Sequence, residues 1–219
     1  YARVTGVQTC ALPICKTSFT SKVVLLGDTS VGKTSLLNRI INDSFEDSVA
    51  STVGASYSYR SVDVDDVEVK FQIWDTAGQE RYRCLSPIYC RDAQLGFIVF
   101  SANEKKTFDV IDFWVNSLVE NGGSNVLLFL IANKIDLPRE ESGVTTEEGQ
   151  KKADEIHASY IELSAKTGAG VEELIQMAAQ EYVELKNSRN QSKSVDTSKN
   201  QAQPVDIGAS NGDEKKGCC

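Results

Sequence analysis

The run Gly27-Asp28-Thr29-Ser30-Val31-Gly32-Lys33-Thr34 places two glycines, a lysine and a hydroxyl residue at the spacing of a phosphate-binding loop. The two glycines let the backbone curl until successive N–H groups point inward at phosphate oxygens. A helix opening at this point adds the positive end of its dipole, so residues from Asp28 to Ser35 would surround a polyphosphate. Lys33 can reach the terminal phosphates, and the Thr34 hydroxyl can ligate Mg²⁺. Three further clusters carry complementary chemistry. In Trp74-Asp75-Thr76-Ala77-Gly78-Gln79, Asp75 can hold Mg²⁺ through a water and Gly78 can offer its N–H to a γ-phosphate. Gln79 can orient an attacking water. In Asn133-Lys134-Ile135-Asp136, the Asp136 carboxylate would accept from N1–H and the exocyclic amine of guanine, where adenine presents a bare acceptor. Backbone N–H groups of Ser164-Ala165-Lys166 could reach the guanine O6. Each of these three, taken alone, also fits an ordinary turn at a strand end. Their order and spacing behind the phosphate loop give them weight.

Elements must end where these clusters begin. Residues 21–26 predict a strand entering the phosphate loop, and 33–41 a helix leaving it. Residues 57–64 and 67–74 predict two strands joined by a hairpin turn at Asp65-Asp66. Residues 94–101 and 126–132 are apolar enough for buried strands, and 160–163 for a short one. Helical spacing over 107–120 places Val110, Ile111, Trp114, Val115 and Leu118 on one face, stopped by Gly122-Gly123. Residues 146–158 predict a polar-faced helix with Thr146 as its N-cap. Residues 171–185 align Val171, Leu174, Ile175, Ala178, Tyr182 and Leu185. This alternation predicts an α/β domain, a mainly parallel sheet covered on both faces. Ligands of such sheets sit beyond the C-terminal strand ends, where all four clusters fall.

Composition narrows the classes. A chain of 219 residues, 41% hydrophobic and 25% charged, describes one soluble globular domain with additional segments. No run approaches the roughly 18 apolar residues of a membrane span. A net charge of −8 argues against nucleic acid as a partner. The six cysteines show no metal-ligand spacing, and an adjacent terminal pair cannot staple a core, so a reducing compartment is expected. Residues 1–14 lack the apolar stretch of a signal peptide. Residues 4–14 resemble the in-frame translation of a sequencing-library adapter, so 1–14 are expected to be non-native and the natural start to be missing. The stretch 187–217 is rich in Ser, Asn, Gln, Lys and Asp and is expected to be disordered.

Taken together, the four clusters resemble those of the Ras superfamily of small GTPases, over residues 16–186, and within it the Rab family. Ile73-Trp74-Asp75-Thr76-Ala77-Gly78-Gln79-Glu80-Arg81-Tyr82 is similar to a Rab signature, and Thr52-Val53-Gly54-Ala55-Ser56-Tyr57 to the Rab effector region. The ending Gly217-Cys218-Cys219 is similar to the doubly geranylgeranylated Rab terminus rather than to the C-a-a-X form. Residues 54–57 and Ser86-Pro87-Ile88-Tyr89 look most like the early-endosomal branch.

The resemblance implies the small-GTPase fold with a six-stranded sheet, GTP and GDP as ligands with Mg²⁺, and slow hydrolysis of GTP activated in trans. By position it implies that Gln79 and Lys33 are catalytic. It also implies that Asp28, Thr29, Ser30, Val31, Gly32, Lys33, Thr34, Ser35, Phe45, Thr52, Gly78, Asn133, Lys134, Asp136, Ser164, Ala165 and Lys166 surround the nucleotide. Thr34, Thr52 and Asp75 would attend the metal, Thr52 only when a γ-phosphate is present, and Phe45 would pack on the guanine face. Tyr57, Trp74 and Tyr89 would form an effector-facing aromatic triad, and Cys218 and Cys219 would carry the prenyl groups. Implied partners are an exchange factor, a GTPase-activating protein, effectors, a prenylation escort and a GDP-dissociation inhibitor. The implied location is the cytoplasmic face of endosomal or other intracellular membranes, in exchange with cytosol. In the stretch 187–219 basic residues exceed acidic ones by one, too few for a polybasic anchor, so two prenyl chains would have to supply the membrane affinity.

Some residues depart from the pattern. Thr29 and Ser30 occupy loop positions that are glycine in Ras itself, and a side chain beside the γ-phosphate would crowd the attacking water. Tyr89-Cys90-Arg91-Asp92-Ala93 and Ser101-Ala102-Asn103 also differ from common Rab segments. Competing readings are a P-loop ATPase, opposed by Asp136, and a nucleotide-locked scaffold without turnover, opposed by the joint presence of Lys33, Thr34, Thr52 and Gln79.

Overall fold

Strands in this chain are apolar on alternate residues toward two different helix layers, and that period sets the architecture. The computed structural model describes residues 16–52, 54–78, 86–122, 125–139 and 143–196. In chain order the elements are β1 Thr17–Leu26, α1 Lys33–Asn42, β2 Ala55–Val64, β3 Val67–Thr76, α2 Ser86–Cys90 and β4 Leu95–Ser101. They continue with α3 Lys105–Asp109, α4 Ile111–Asn121, β5 Leu127–Asn133, α5 Thr146–Glu155, β6 Ser159–Glu162 and α6 Val171–Asp196. The six strands form one sheet in the order β2-β3-β1-β4-β5-β6. All neighbours are parallel except β2 and β3, an antiparallel hairpin that places Tyr57 opposite Trp74 and turns at Asp65 with φ 51°. This is the predicted α/β class with the predicted hairpin.

Along β1, Val23 and Leu25 face one core while Val24 and Leu26 face the other. The first core adds Phe71, Ile73, Phe97, Val99, Phe129 and Ile131 from the sheet, closed by Leu36 and Ile40 of α1 and by Leu174, Ala178 and Tyr182 of α6. The second adds Ile98, Phe100, Leu128 and Leu130, closed by Ile111, Trp114, Val115 and Leu118 of α4 and Ala153 of α5. Burying both faces explains why β4 carries no polar residue before Ser101, since all seven of its residues are buried.

Three elements differ from expectation. The helix predicted over 107–120 is two helices, α3 and α4, broken at Val110 (φ −97°, ψ 7°). The N-cap of α5 is Thr145, not Thr146. Its hydroxyl accepts from the Glu148 N–H while the Glu148 carboxylate accepts from the Thr145 N–H, a reciprocal capping box. α6 continues past Leu185, where its apolar stripe ends, as far as Asp196. Residues 186–196 contain no glycine or proline, and a helix already nucleated propagates cheaply through such residues. The expectations for residues 1–14 and 197–219, and for Gly123, lie outside the described residues. No helix among the described residues is long and apolar enough to cross a membrane.

Candidate nucleotide-binding cleft

The turn after β1 is forced by its glycines. Gly27 has φ 145° and a Cβ there would overlap the Val99 carbonyl oxygen; Gly32 has φ 94° and a Cβ there would lie 2.5 Å from Asn133 Nδ2. Gly32 is also the N-cap of α1, with no side-chain cap and no acidic residue in the first turn, so the helix presents its positive end undiminished. Beyond it opens a cleft of about 410 Å³ at the C-terminal ends of the strands. Thr29, Ser30, Gly32, Lys33, Thr34 and Ser35 line one end and Asn133, Lys134, Asp136, Ala165 and Lys166 the other, with Phe45, Thr52 and Gly78 along the walls. Four predicted residues stand behind this lining. Asp28 lends its carbonyl to Lys33, Val31 its carbonyl to Asn133, Ser164 its hydroxyl to Asp136, and Asp75 lies beneath Thr34.

At the phosphate-loop end, Lys33 is 6% exposed and its Nζ donates to the carbonyls of Gly27 (3.0 Å) and Asp28 (2.7 Å). Burial pulls its pKa down to about 8, against the pull of Asp75 and Asp28 in the other direction. Asp75 is 1% exposed, and burial raises its pKa although Thr34, Lys33 and Thr52 oppose the shift. Thr34 Oγ1 donates to Asp75 Oδ2 at 2.7 Å, Thr52 Oγ1 donates to the same oxygen at 3.2 Å, and the two hydroxyls are 2.8 Å apart. Asp75 Oδ1 is buried with no hydrogen-bond partner among the described residues. An orphaned carboxylate oxygen beside two hydroxyls is a hard-oxygen donor set that fits Mg²⁺. Gly78 has no room for a side chain: a Cβ would contact Lys33 Nζ and lie 2.5 Å from the Asp28 carbonyl. Gln79 lies outside the described residues.

At the other end, Asn133 is the organiser. Its Nδ2 donates to the Val31 carbonyl (2.8 Å), and its Oδ1 accepts from Lys134 N (2.8 Å) and Ala165 N (3.1 Å). Lys134 takes a left-handed φ of 69°, which turns the chain so that Asp136 meets the Ser164 hydroxyl at 2.6 Å. Lys166 Nζ lies 5.9 Å from the Phe45 ring centroid and 3.6 Å from Asp47. Two supporting residues have no counterpart in the sequence reading. Asn103 Nδ2 donates to the Lys134 carbonyl at 3.0 Å, and Arg39 donates to the carbonyls of Ala165 and Lys166. The only sequence hint was the departure at Ser101-Ala102-Asn103.

Away from the cleft, Tyr57 stacks on Trp74 (centroids 5.1 Å, 28°) and Trp74 lies 6.4 Å from Tyr89. Tyr59, two residues along β2 and so on the same face, adds an edge contact to Tyr57 at 5.6 Å. Tyr57 and Tyr59 are more than half exposed.

Fold and cleft together define a P-loop nucleotide-binding domain of the small-GTPase kind. The Ras family model matches residues 22–184, and the chain belongs to that family, whose members are GTPases. Over 155 residues it is 42% identical to the Ras-related protein RabJ of Dictyostelium discoideum, a match covering 71% of this chain and 60% of that protein. Over 198 residues it is 37% identical to the GTP-binding protein ypt2 of Schizosaccharomyces pombe, covering 90% of this chain and 95% of that one. Among small GTPases the chain is therefore Rab-like.

Proposed function

We propose that the chain is a Rab-like switch in membrane traffic that binds GTP and GDP, hydrolyses GTP slowly when unassisted, and recruits effectors while the γ-phosphate is present. The observation that carries this reading is the meeting, in one cleft, of a cation and hydroxyl cluster at one end with a buried-hydroxyl-held carboxylate at the other. Lys33 and the loop amides would neutralise phosphate charge, and Gln79 would orient water. Thr34, Thr52 and Asp75 would hold Mg²⁺, which supplies further charge neutralisation when bound. Asp136 would accept from the guanine N1–H and amine, with Ser164 fixing its direction. Loss of the γ-phosphate would release Thr52 and the segment after Gly78, which is the output of the switch.

Thr29 and Ser30 both line the cleft, which supports slow intrinsic turnover. Single-turnover hydrolysis of preloaded GTP is expected at or below roughly 10⁻⁴ to 10⁻³ s⁻¹, rising by about 10⁵-fold with a cognate activating protein. A faster unassisted rate overturns the crowding argument, and equal binding of ATP overturns the GTPase reading itself. For the anchor, we propose prenylation of Cys218 and Cys219 and residence on early endosomes. Imaging the tagged chain beside an endosomal marker, with Cys218→Ser/Cys219→Ser in parallel, tests both. Puncta that become diffuse in the variant support the anchor, and puncta on another organelle remove the endosomal assignment alone.

A further inference from the structure

Arg39 sits on α1, the helix that opens the phosphate end, yet its guanidinium reaches the base end of the cleft. Nε donates to the Ala165 carbonyl at 3.0 Å and Nη2 to the Lys166 carbonyl at 2.7 Å, across 126 and 127 residues of chain. Nη1 donates to the Asp43 carbonyl at 2.8 Å and to its carboxylate at 2.9 Å, so three of four acceptors are main-chain oxygens. The Arg39 side chain is only 14% exposed. Its aliphatic stem lies under the turn at Gly168, where a Cβ would stand 3.7 Å from Arg39 Cδ.

These bonds fix the peptide planes of Ala165 and Lys166, two residues that line the cleft. A trans peptide is planar, so its C=O and N–H point in opposite directions, and no described peptide is cis. Turning the Ala165 carbonyl toward Arg39 therefore turns the Lys166 N–H away from it. The Lys166 carbonyl belongs to the peptide whose other side is the Thr167 N–H, and that group donates to Ser164 Oγ at 3.1 Å. Ser164 Oγ in turn donates to Asp136 Oδ1 at 2.6 Å. A continuous hydrogen-bonded path thus joins the Arg39 fork to the carboxylate that selects the base.

We propose that Arg39 is a positioning residue for base recognition: it aims the Lys166 N–H at the purine O6 and steadies Asp136, and so sets how long the nucleotide stays bound. The inference rests on the guanine-nucleotide reading of the cleft. A lysine at position 39 would keep the charge but lose the fork that holds two carbonyls at once.

The test uses the full chain with Arg39→Met and Arg39→Lys, and follows release of ribose-labelled fluorescent GDP against an excess of unlabelled GDP. The same measurement is made with 6-thioguanosine diphosphate, whose sulfur is a poor acceptor in place of O6. Arg39→Met is expected to release GDP roughly 10- to 100-fold faster, with Arg39→Lys between it and the parent. The acceleration should be clearly smaller for the thio analogue, because the contact being lost is already weak there. Release at the parental rate, or an equal acceleration for both nucleotides, overturns the proposal, since a general loosening would not distinguish O6 from sulfur. If Arg39→Met does not fold, Arg39→Lys carries the same comparison. A parent chain that holds ADP as well as GDP would instead overturn the underlying reading.

Discussion

Asn133 joins three loops that are remote in sequence. At 1% exposure its amide satisfies the Val31 carbonyl and the N–H groups of Lys134 and Ala165. Asn133→Ala leaves those three groups buried with nothing in their place, at about 1–3 kcal/mol for each that water cannot reach. A fall in the urea midpoint of the nucleotide-free protein, accompanied by faster GDP release, is expected; an unchanged midpoint would mean that the loops close without the amide. Cys90 poses the opposite case, a reactive group made inert. It is fully buried, and burial pushes its thiol up to about 11 against the Ser117 hydrogen bond and Lys22. At pH 8 on the order of one molecule in a thousand would carry the thiolate. Iodoacetamide at that pH should leave the Cys90 peptide unmodified in the folded protein and label it in urea, as mass spectrometry of the digest can read. Lys33, Asp75, Asn133 and Asp136 were legible because residue type and spacing betray their chemistry. Arg39 and Asn103 were not, because they act on backbone carbonyls 126 and 31 positions away, and a carbonyl has no residue type to recognise.

At the level of elements, the start of α5 shows both what a pattern contains and how it is misread. Two threonines stand at the start of the helix, and only Thr145 has a glutamate three residues on; Thr146 has Gly149 there, which cannot complete a capping box. Thr145→Ala is therefore expected to cost about 1 kcal/mol, read as a Tm decrease of about 2–4 °C for a domain of this size. The loop between β5 and α5 is tied to β6 by Arg139, which donates to Glu162 at 2.7 Å, while Tyr160 donates to the same oxygen at 2.8 Å. Burial raises the Glu162 pKa, but hydrogen bonds from Arg139, Thr146 and Tyr160 outweigh it and the net shift is downward. A carboxyl held low in the folded state contributes stability above its ordinary value and loses it as pH falls through the folded value. Glu162→Gln should lower stability at pH 7 by about 0.5–1 kcal/mol, and the gap from the parent should close below pH of about 4. Thermal melts of both proteins between pH 7 and 3 check the sign; a gap that widens toward acid would contradict it. The inner strands β4 and β5 were readable because burial of both sheet faces leaves a long apolar run. The break at Val110 was not, since the apolar positions keep a helical spacing straight across it.

Across the whole molecule, the two cores place the cleft where neither helix layer covers the sheet end, and there the protein buries charge at a cost. Lys33 is pulled toward neutrality and Asp75 toward protonation, while one Asp75 oxygen has no partner among the described residues. A polyphosphate with its metal would relieve all three, so ligand binding should stabilise the fold beyond what surface contacts supply. At a nucleotide concentration about a thousand times the Kd, linkage gives about 4 kcal/mol, or roughly 8–16 °C in Tm. The expected order in thermal melts is GDP with MgCl₂ above GDP with EDTA, and both above ADP or no nucleotide. The difference between the first two isolates the oxygen set of Thr34, Thr52 and Asp75, because chelation removes the metal alone and does not act on the proposed base end. Asp75→Ala should abolish that difference while keeping the preference for GDP over ADP, which the proposed function assigns to Asp136 at the far end. Equal melts with and without EDTA would remove the metal from this oxygen cluster, and equal shifts with GDP and ADP would remove guanine selectivity from Asp136. The two ends of the cleft thus fail separately, as expected of a site whose proposed phosphate and base contacts come from different strand ends of one sheet.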